Sequence, residues 1–442
     1  MVKKLERTTF PLTRRGFLKT SAQAGAAALL LGKGRVHAAG SDKIKVGLIG
    51  CGMRGTGAGI IDCAQASKGI ELVAMGDLFR DRADQATEQI VENLKSKNLP
   101  ADAIVKVTPD TTFVGFDAYQ RVIASDVDLV ILTTPPNFRP LHLRAAVEAG
   151  KHVFIEKPVA VDPAGVRSVI ETSELARQKG LTLVAGTQMR RLESNCEAIK
   201  RIHDGAIGKI TGGQVVRCGG GMRDWRAGEK ARKPEWSDVE YALRRWLFWT
   251  WLSGDFIVEM HVHNLDVMNW ILQSHPVQCM GVGGRQARTE PEYGNVYDHF
   301  SVEYLYPDDV RIEYIGAQID KVSSRSDQRV TGTKGSACLD FGNASIKGKR
   351  SYAYEGKQPD PQVTEYADTI ESIRKGRAIN EGRQIAETTM TAILGRMSAY
   401  TGRALKWDWA MEASKLDLGP IVTEFGTLPE MPAAVPGVTE LL

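Results

Sequence analysis

The sequence predicts an α/β chain: a doubly wound parallel sheet, followed by an α/β domain whose sheet is largely antiparallel. Three observations carry that prediction. Short apolar runs alternate with helical stretches through the first part of the chain, as in a parallel sheet covered on both faces. A glycine-rich turn, Gly50-Cys51-Gly52-Met53-Arg54-Gly55, lies between the first run and the first helical stretch. Beyond about residue 205 the runs become alternating or β-branched, with Gly, Pro or Asp between them.

The first run is 43–49 (KIKVGLI), followed by the glycine turn and a helix from about Ala58. Runs at 70–75, 128–132 and 152–155 end in Gly76-Asp77, Thr133-Thr134-Pro135-Pro136 and Glu156-Lys157-Pro158. Polar and turn-forming residues therefore collect at the carboxyl ends of strands, where open α/β sheets bind ligands. A further strand is expected at 181–184, leading into Gly186-Thr187-Gln188. Later strands are expected at 209–217, 277–282, 298–306 and 310–315, and helices at about 366–374 and 384–401. The last forty residues are Pro-rich and irregular, and no internal repeat is seen. The expected division is a dinucleotide-binding domain at 43–165 and a second domain for substrate and oligomer contacts at 166–442.

The N-terminus has the parts of a processed export signal. Thr13-Arg14-Arg15-Gly16-Phe17-Leu18-Lys19 matches a twin-arginine signal, an apolar stretch from Ala22 to Leu31 is too short to span a bilayer, and Val36-His37-Ala38 suits cleavage after Ala38. The expected partner at that stage is the Tat translocase, and the expected location is periplasmic or exported. Residues 1–38 carry eight basic side chains and one acidic one, so removing them takes the chain from a net charge of +4 to −3. Nothing in that balance calls for nucleic acid or an anionic membrane, and no later stretch is long and apolar enough for a membrane span. The six cysteines, at 51, 63, 196, 218, 279 and 338, show no CxxC spacing. A Tat substrate folds in the reducing cytoplasm, so free thiols are expected.

The glycine turn has the context a dinucleotide site requires. Glycines allow the backbone to approach a pyrophosphate, and the helix N-terminus offers free N–H groups. Asp77 lies twenty-two residues beyond Gly55, at the end of the second strand. A carboxylate there hydrogen-bonds the ribose 2′-hydroxyl and repels a 2′-phosphate, which favours NAD; Arg54 and Arg80, able to meet a phosphate, point the other way, toward NADP.

With Thr134-Pro135-Pro136-Asn137, Glu156-Lys157-Pro158 and the 254–270 segment added, nearly the whole chain after the signal resembles the Gfo/Idh/MocA oxidoreductases. The resemblance implies an N-terminal Rossmann domain and a C-terminal α/β domain with an open sheet, associated as a dimer or tetramer. It also implies that Gly50, Gly52, Met53, Arg54, Gly55, Asp77, Thr134, Pro135, Asn137, Glu156 and Lys157 form the cofactor site. The family's catalytic lysine falls on Lys157, whose ammonium would stabilise a developing alkoxide. The family's Asp-x-x-x-His pattern falls on Glu259 and His263, with Glu in place of the usual Asp. On a helix Glu259 and His263 would share a face, and Asp266 would join them. A neutral His263 would take the hydroxyl proton while Glu259 orients the substrate.

Glu259, His261 and His263 also invite a metal reading, but two histidines two apart on a helix point away from each other, so no metal is expected. Trp225, Trp236, Tyr241, Trp246, Phe248, Trp249 and Trp251, together with Arg223, Asp224 and Arg226, suggest a sugar or cyclitol pocket, with Gln188, Arg190 and Arg191 as further candidates. The expected activity is NAD(P)-dependent oxidation of a ring CH–OH. An exported enzyme meets no nicotinamide pool, so the cofactor is expected to be tightly held and recycled. The alternatives are a redox-neutral glycosidase, lyase or isomerase working through a keto-sugar, and a non-catalytic dinucleotide-binding protein.

Overall fold

The computed structural model describes residues 43–221, 232–419 and 422–442. The signal region and the expected substrate residues Arg223, Asp224, Trp225 and Arg226 lie outside the described residues.

The first sheet contains β1 (Ile44–Ile49), β2 (Ile70–Asp77), β3 (Thr112–Val114), β4 (Leu129–Leu132), β5 (His152–Ile155) and β6 (Leu183–Ala185). All pairs are parallel, in the order β3-β2-β1-β4-β5-β6. The order in which strands are added reverses between β1 and β4, the switch point where doubly wound folds open a crevice. The helices that cover the sheet are α1 (Ile60–Ala66), α2 (Arg80–Ser96), α3 (Ala118–Ala124), α4 (Arg139–Glu148) and α5 (Pro163–Gln178). Every residue of β4 is buried, which explains its unbroken Leu-Val-Ile-Leu run. Gly47 has no room for a side chain: a Cβ there would lie 2.7 Å from Val122 Cγ1 of α3. Asp162 starts α5 by accepting the Gly165 N–H at 2.7 Å, with Pro163 in the first turn. Because β6 belongs to this sheet, the first domain's sheet extends past residue 165.

After α6 (Glu193–His203) the second sheet begins. Its strands are β7 (Ile210–Gly219), β8 (Gln278–Gly284), β9 (His299–Tyr306), β10 (Val310–Gln318), β11 (Arg325–Gly332), β12 (Gly335–Leu339), β13 (Ala344–Gly348), β14 (Tyr352–Ala353) and β15 (Leu405–Lys406). The order is β14-β13-β12-β11-β7-β10-β9-β8-β15, antiparallel throughout except for the central β10–β7 pair. On β10, Val310, Ile312, Tyr314, Gly316 and Gln318 are buried while the residues between them are exposed or half-buried, so one face is covered and one is open. Between β7 and β8 lie α7 (Asp238–Arg244), α8 (Phe256–Glu259) and α9 (Val262–Leu272); α10 (Pro361–Lys375) and α11 (Gly382–Thr401) follow β14. Helix α11 is buried on nearly every side and packs against α5 of the first domain and β8 of the second. Its apolar residues therefore do not keep to one stripe, and Thr388, Thr389, Thr391 and Ser398 are buried among them. No helix among the described residues is long and apolar enough to cross a membrane.

Candidate active site

The glycine turn folds around the switch point. Gly50 has φ +101°, and a Cβ there would lie 2.8 Å from Thr133 Oγ1. Thr133 at the end of β4 donates its hydroxyl to Gly50 O at 2.7 Å. A Cβ on Gly55 would come within 2.1 Å of Gly50 O, so only glycine permits this turn. Residues Arg54–Gly59 wind as a single wide π-turn into α1. Beside the turn is a cleft of about 330 Å3, lined by Gly50, Gly52, Asp77, Phe116, Thr134 and Pro135 among others.

Asp77 lines this cleft and is anchored by the turn itself: one carboxylate oxygen accepts the Cys51 N–H at 2.7 Å and the other the Phe79 N–H at 2.9 Å. Each oxygen keeps acceptor capacity for a further donor such as a ribose hydroxyl. The cradle, the carboxylate and the cleft fit a dinucleotide. Of the two arginines expected near phosphate, Arg54 is held by Glu156 (2.6 Å) and Arg80 is exposed beside Asp84 (3.6 Å). Arg82 lines the cleft instead, 4.6 Å over the Phe79 ring. Met53 stands exposed on the turn. Thr134 Oγ1 is 3.1 Å from Nδ1 of His142, whose pKa burial pushes down to about 3. Asn137 is turned away from the cleft lining: its amide donates to Trp251 O and Leu418 O, both at 2.6 Å, tying the second domain to the first.

Lys157 follows β5, and the Lys157–Pro158 peptide is cis. Its Nζ donates to the Glu259 backbone carbonyl at 2.7 Å and lies 3.3 Å from Glu259 Oε1. Glu156 beside it is buried, and Gly186 makes room for it: a Cβ on Gly186 would lie 2.7 Å from Glu156 Oε2. Burial holds the Lys157 ammonium below the ordinary lysine pKa, against the raising effect of Glu259 and Glu156.

Glu259 and His263 do not lie on one continuous helix. α8 ends at Glu259 and α9 starts at Val262. The break arises because the freed carbonyls take side-chain donors: Glu259 O receives Lys157, and Met260 O receives Arg217 Nη1 at 2.7 Å. His261, at the break, is buried with its Nδ1 2.6 Å from Tyr314 Oη; a Cβ on Gly316 would fall within 1.9 Å of that hydroxyl. His263 is buried, and its ring meets Phe341 edge-on at 6.2 Å. Among the described residues its ring nitrogens make no hydrogen bond. Burial, and then the cations Lys157 and Arg217, push His263 well below the ordinary imidazole value, so it is neutral.

Asp266, one turn beyond His263 on α9, is buried in a two-pronged pair with Arg190 (2.7 and 2.9 Å) and accepts the Thr388 hydroxyl at 2.7 Å. Arg190 and Asp266 thus satisfy each other, and Arg191 is taken by Asp368 and Glu381. The tryptophans among the described residues take separate places. Trp251 is buried in a small third core with Trp249 packed against it, Trp236 is buried nearby, and Trp246 lines the dinucleotide cleft. Gln188 lines a separate cavity with Phe341 and Gln362, on the His263 side. The sequence reading missed Arg217 and Phe341, which flank His263. Arg217 ended a predicted strand and carried an interpretable position; Phe341 lies in a turn with no local signal. Among the described residues no group of three or more His, Cys, Asp or Glu is placed to hold a metal, and all six cysteines are free thiols.

Comparison with known proteins agrees with this architecture. The model of the GFO/IDH/MocA oxidoreductase family's NAD-binding Rossmann fold matches residues 44–187, and that of a GFO/IDH/MocA C-terminal domain matches residues 196–338. A glycosyl hydrolase family 109 protein of Streptomyces coelicolor is 31% identical over 184 residues, 41% of this chain and 35% of the relative. An inositol 2-dehydrogenase of Salmonella typhimurium is 28% identical over 229 residues, 52% of this chain and 54% of the relative. The chain thus spans about half or less of the length of these relatives. The crystal structure of an aldose-aldose oxidoreductase from Caulobacter crescentus in complex with glycerol superposes with a TM-score of 0.62 at 20% identity, covering 82% of this chain and 99% of that one. With a parallel nucleotide-binding sheet, a nine-stranded second sheet and both family models matched in order, the chain belongs to the GFO/IDH/MocA oxidoreductase family.

Proposed function

We propose that this protein oxidises a ring CH–OH of a sugar, sugar derivative or cyclitol, using a tightly held NAD that is recycled within the active site. The observation that carries this reading is the Lys157–Glu259 contact at the carboxyl edge of the parallel sheet, with the buried His263 close enough to feel the Lys157 charge. When bound, the nicotinamide supplies the hydride acceptor. A substrate hydroxyl near Lys157 would have its developing oxyanion stabilised by the ammonium. The neutral His263, with unengaged ring nitrogens, would take the hydroxyl proton. Glu259 holds Lys157 through both its carbonyl and its carboxylate, which fixes where that ammonium points. Asp77 supports NAD over NADP, since a 2′-phosphate would meet a buried carboxylate.

The twin-arginine motif supports export, and export supports recycling: either a second substrate or the same one must take the hydride back. Similarity to a glycosyl hydrolase family 109 protein favours a second, redox-neutral reading. In it, oxidation at one carbon acidifies the neighbouring C–H, elimination or isomerisation follows, and the hydride returns. A single-turnover experiment separates the two. NAD-loaded protein is mixed with a panel of sugars and cyclitols in deuterated water, and both reduced nicotinamide and product deuterium are followed. Net reduction without deuterium supports the dehydrogenase; deuterium next to the oxidised carbon without net reduction supports the redox-neutral reaction. Neither signal with any polyol would end both readings.

A further inference from the structure

The dinucleotide cleft has a wall that the first domain does not supply. Leu243 and Trp246 from the stretch beginning with α7, and Val422 and Thr423 from the C-terminal segment, line it together with Asp77 and Phe116. Behind them is the small third core of Phe79, Val239, Leu243 and Leu252, against which Trp246, Val422 and Leu428 pack. This core joins three parts of the chain that are far apart in sequence: the β2–α2 turn, α7, and residues 422–431.

The joint is made in three ways. The Phe425 ring stacks on Phe79 at 6.0 Å and meets Phe116 edge-on at 5.4 Å. Arg244 of α7 reaches Asp81 of α2 at 3.0 Å and lies 4.1 Å over the Phe79 ring. The Val239 N–H donates to Gly426 O, and the Leu428 N–H to Asp238 Oδ2, each at 3.1 Å. Phe79 is also the residue whose N–H is held by the Asp77 carboxylate. The fastening therefore sits at the end of the cleft marked by Asp77, where the adenosine half of a dinucleotide would lie.

We propose that residues 422–431, docked on α7 and Phe79, form a strap closing the adenosine end of the cleft, so that a bound dinucleotide leaves only when the strap lifts. The apolar wall of Leu243, Trp246 and Val422 suits a purine face, and Asp77 suits the ribose hydroxyls. Release is then slowed by every contact that fastens the strap, including contacts that never touch the ligand. This inference rests on the reading that the site holds a nicotinamide dinucleotide.

The test uses the full chain loaded with NADH. Bound NADH is followed by fluorescence after dilution into an excess of an NADH-consuming dehydrogenase and its keto acid. Phe425 is 45% exposed and lies outside the cleft lining, so Phe425→Ala leaves the fold and the ligand contacts in place. Losing its two ring contacts should speed release roughly tenfold. Asp238→Ala, which removes the acceptor of the Leu428 N–H, should speed it independently, with thermal unfolding confirming that each variant is folded. Release from the wild type within the mixing time, or both variants releasing at the wild-type rate, would overturn the strap. Folded wild-type protein that takes up no NADH in equilibrium dialysis would overturn the dinucleotide reading and the strap with it, whereas fast release of tightly counted NADH would remove the strap alone.

Discussion

Asp255 offers a quantitative test of the electrostatics around the active-site helices. It is fully buried at φ +72° and caps α8, the short helix that ends at Glu259. Its carboxylate accepts the Phe256 N–H at 2.5 Å, the Tyr297 N–H at 2.8 Å and the Tyr400 hydroxyl at 2.5 Å. Burial outweighs these bonds and pushes its pKa up from 3.8 to about 7. A carboxyl that holds its proton more tightly when folded contributes stability at low pH, and that contribution fades as pH rises through the folded value. At pH 5 the contribution is about 2.5 kcal/mol, and by pH 8 it is near zero. Asp255→Asn cannot ionise and so lacks this dependence. The amide also sets an N–H against one of the three donors, costing about 1–3 kcal/mol at any pH. Urea unfolding followed by tryptophan fluorescence should therefore show the variant less stable than wild type at pH 5, with the gap shrinking by about 2.5 kcal/mol by pH 8. A gap that stays constant across this range would refute the argument, because it would mean Asp255 is ionised throughout.

Four further outcomes follow from the geometry. Lys157→Met should lower single-turnover reduction by about 10²–10⁴-fold while dinucleotide affinity, measured by dialysis, changes little. Because His263 is held neutral by burial, the acid limb of kcat/KM should fall below the ordinary imidazole value of about 6.5, and His263→Ala should abolish that limb in a pH–rate profile. Gly55→Ala forces a Cβ against Gly50 O and should cost about 2 kcal/mol or more of stability, along with most dinucleotide binding, in thermal and dialysis measurements. Asp266→Ala leaves Arg190 without its buried partner and should cost about 3–5 kcal/mol in urea unfolding.

The parallel sheet was legible because its strands are buried on both faces, and such strands read as short unbroken apolar runs. The glycine turn and Asp77 were legible for a related reason, since positive φ and close backbone approach leave few residue choices. β3, three residues long, and β11 to β14 were not anticipated. The latter lie toward one edge of the second sheet, where runs such as Arg-Ser-Asp-Gln at 325–328 are polar on both faces. The site was partly legible. Lys157 and His263 follow from motif positions, but the i, i+4 spacing suggested an unbroken helix. The break at Met260 and His261 is set by Lys157 and Arg217, which are distant in sequence and compete for the helix's own carbonyls. Where each tryptophan points was not legible for the same reason: packing decides it, and it places Trp251 in the third core and Trp246 at the cleft.

The most direct test of the central claim is the nicotinamide half-reaction in wild type, Lys157→Met and His263→Ala, each shown to be folded and to hold dinucleotide. A ring polyol should reduce the wild-type cofactor within one turnover, and both variants should hold the same dinucleotide without reducing it. Both variants reducing it at the wild-type rate would contradict the assignment of Lys157 and His263 to the chemistry.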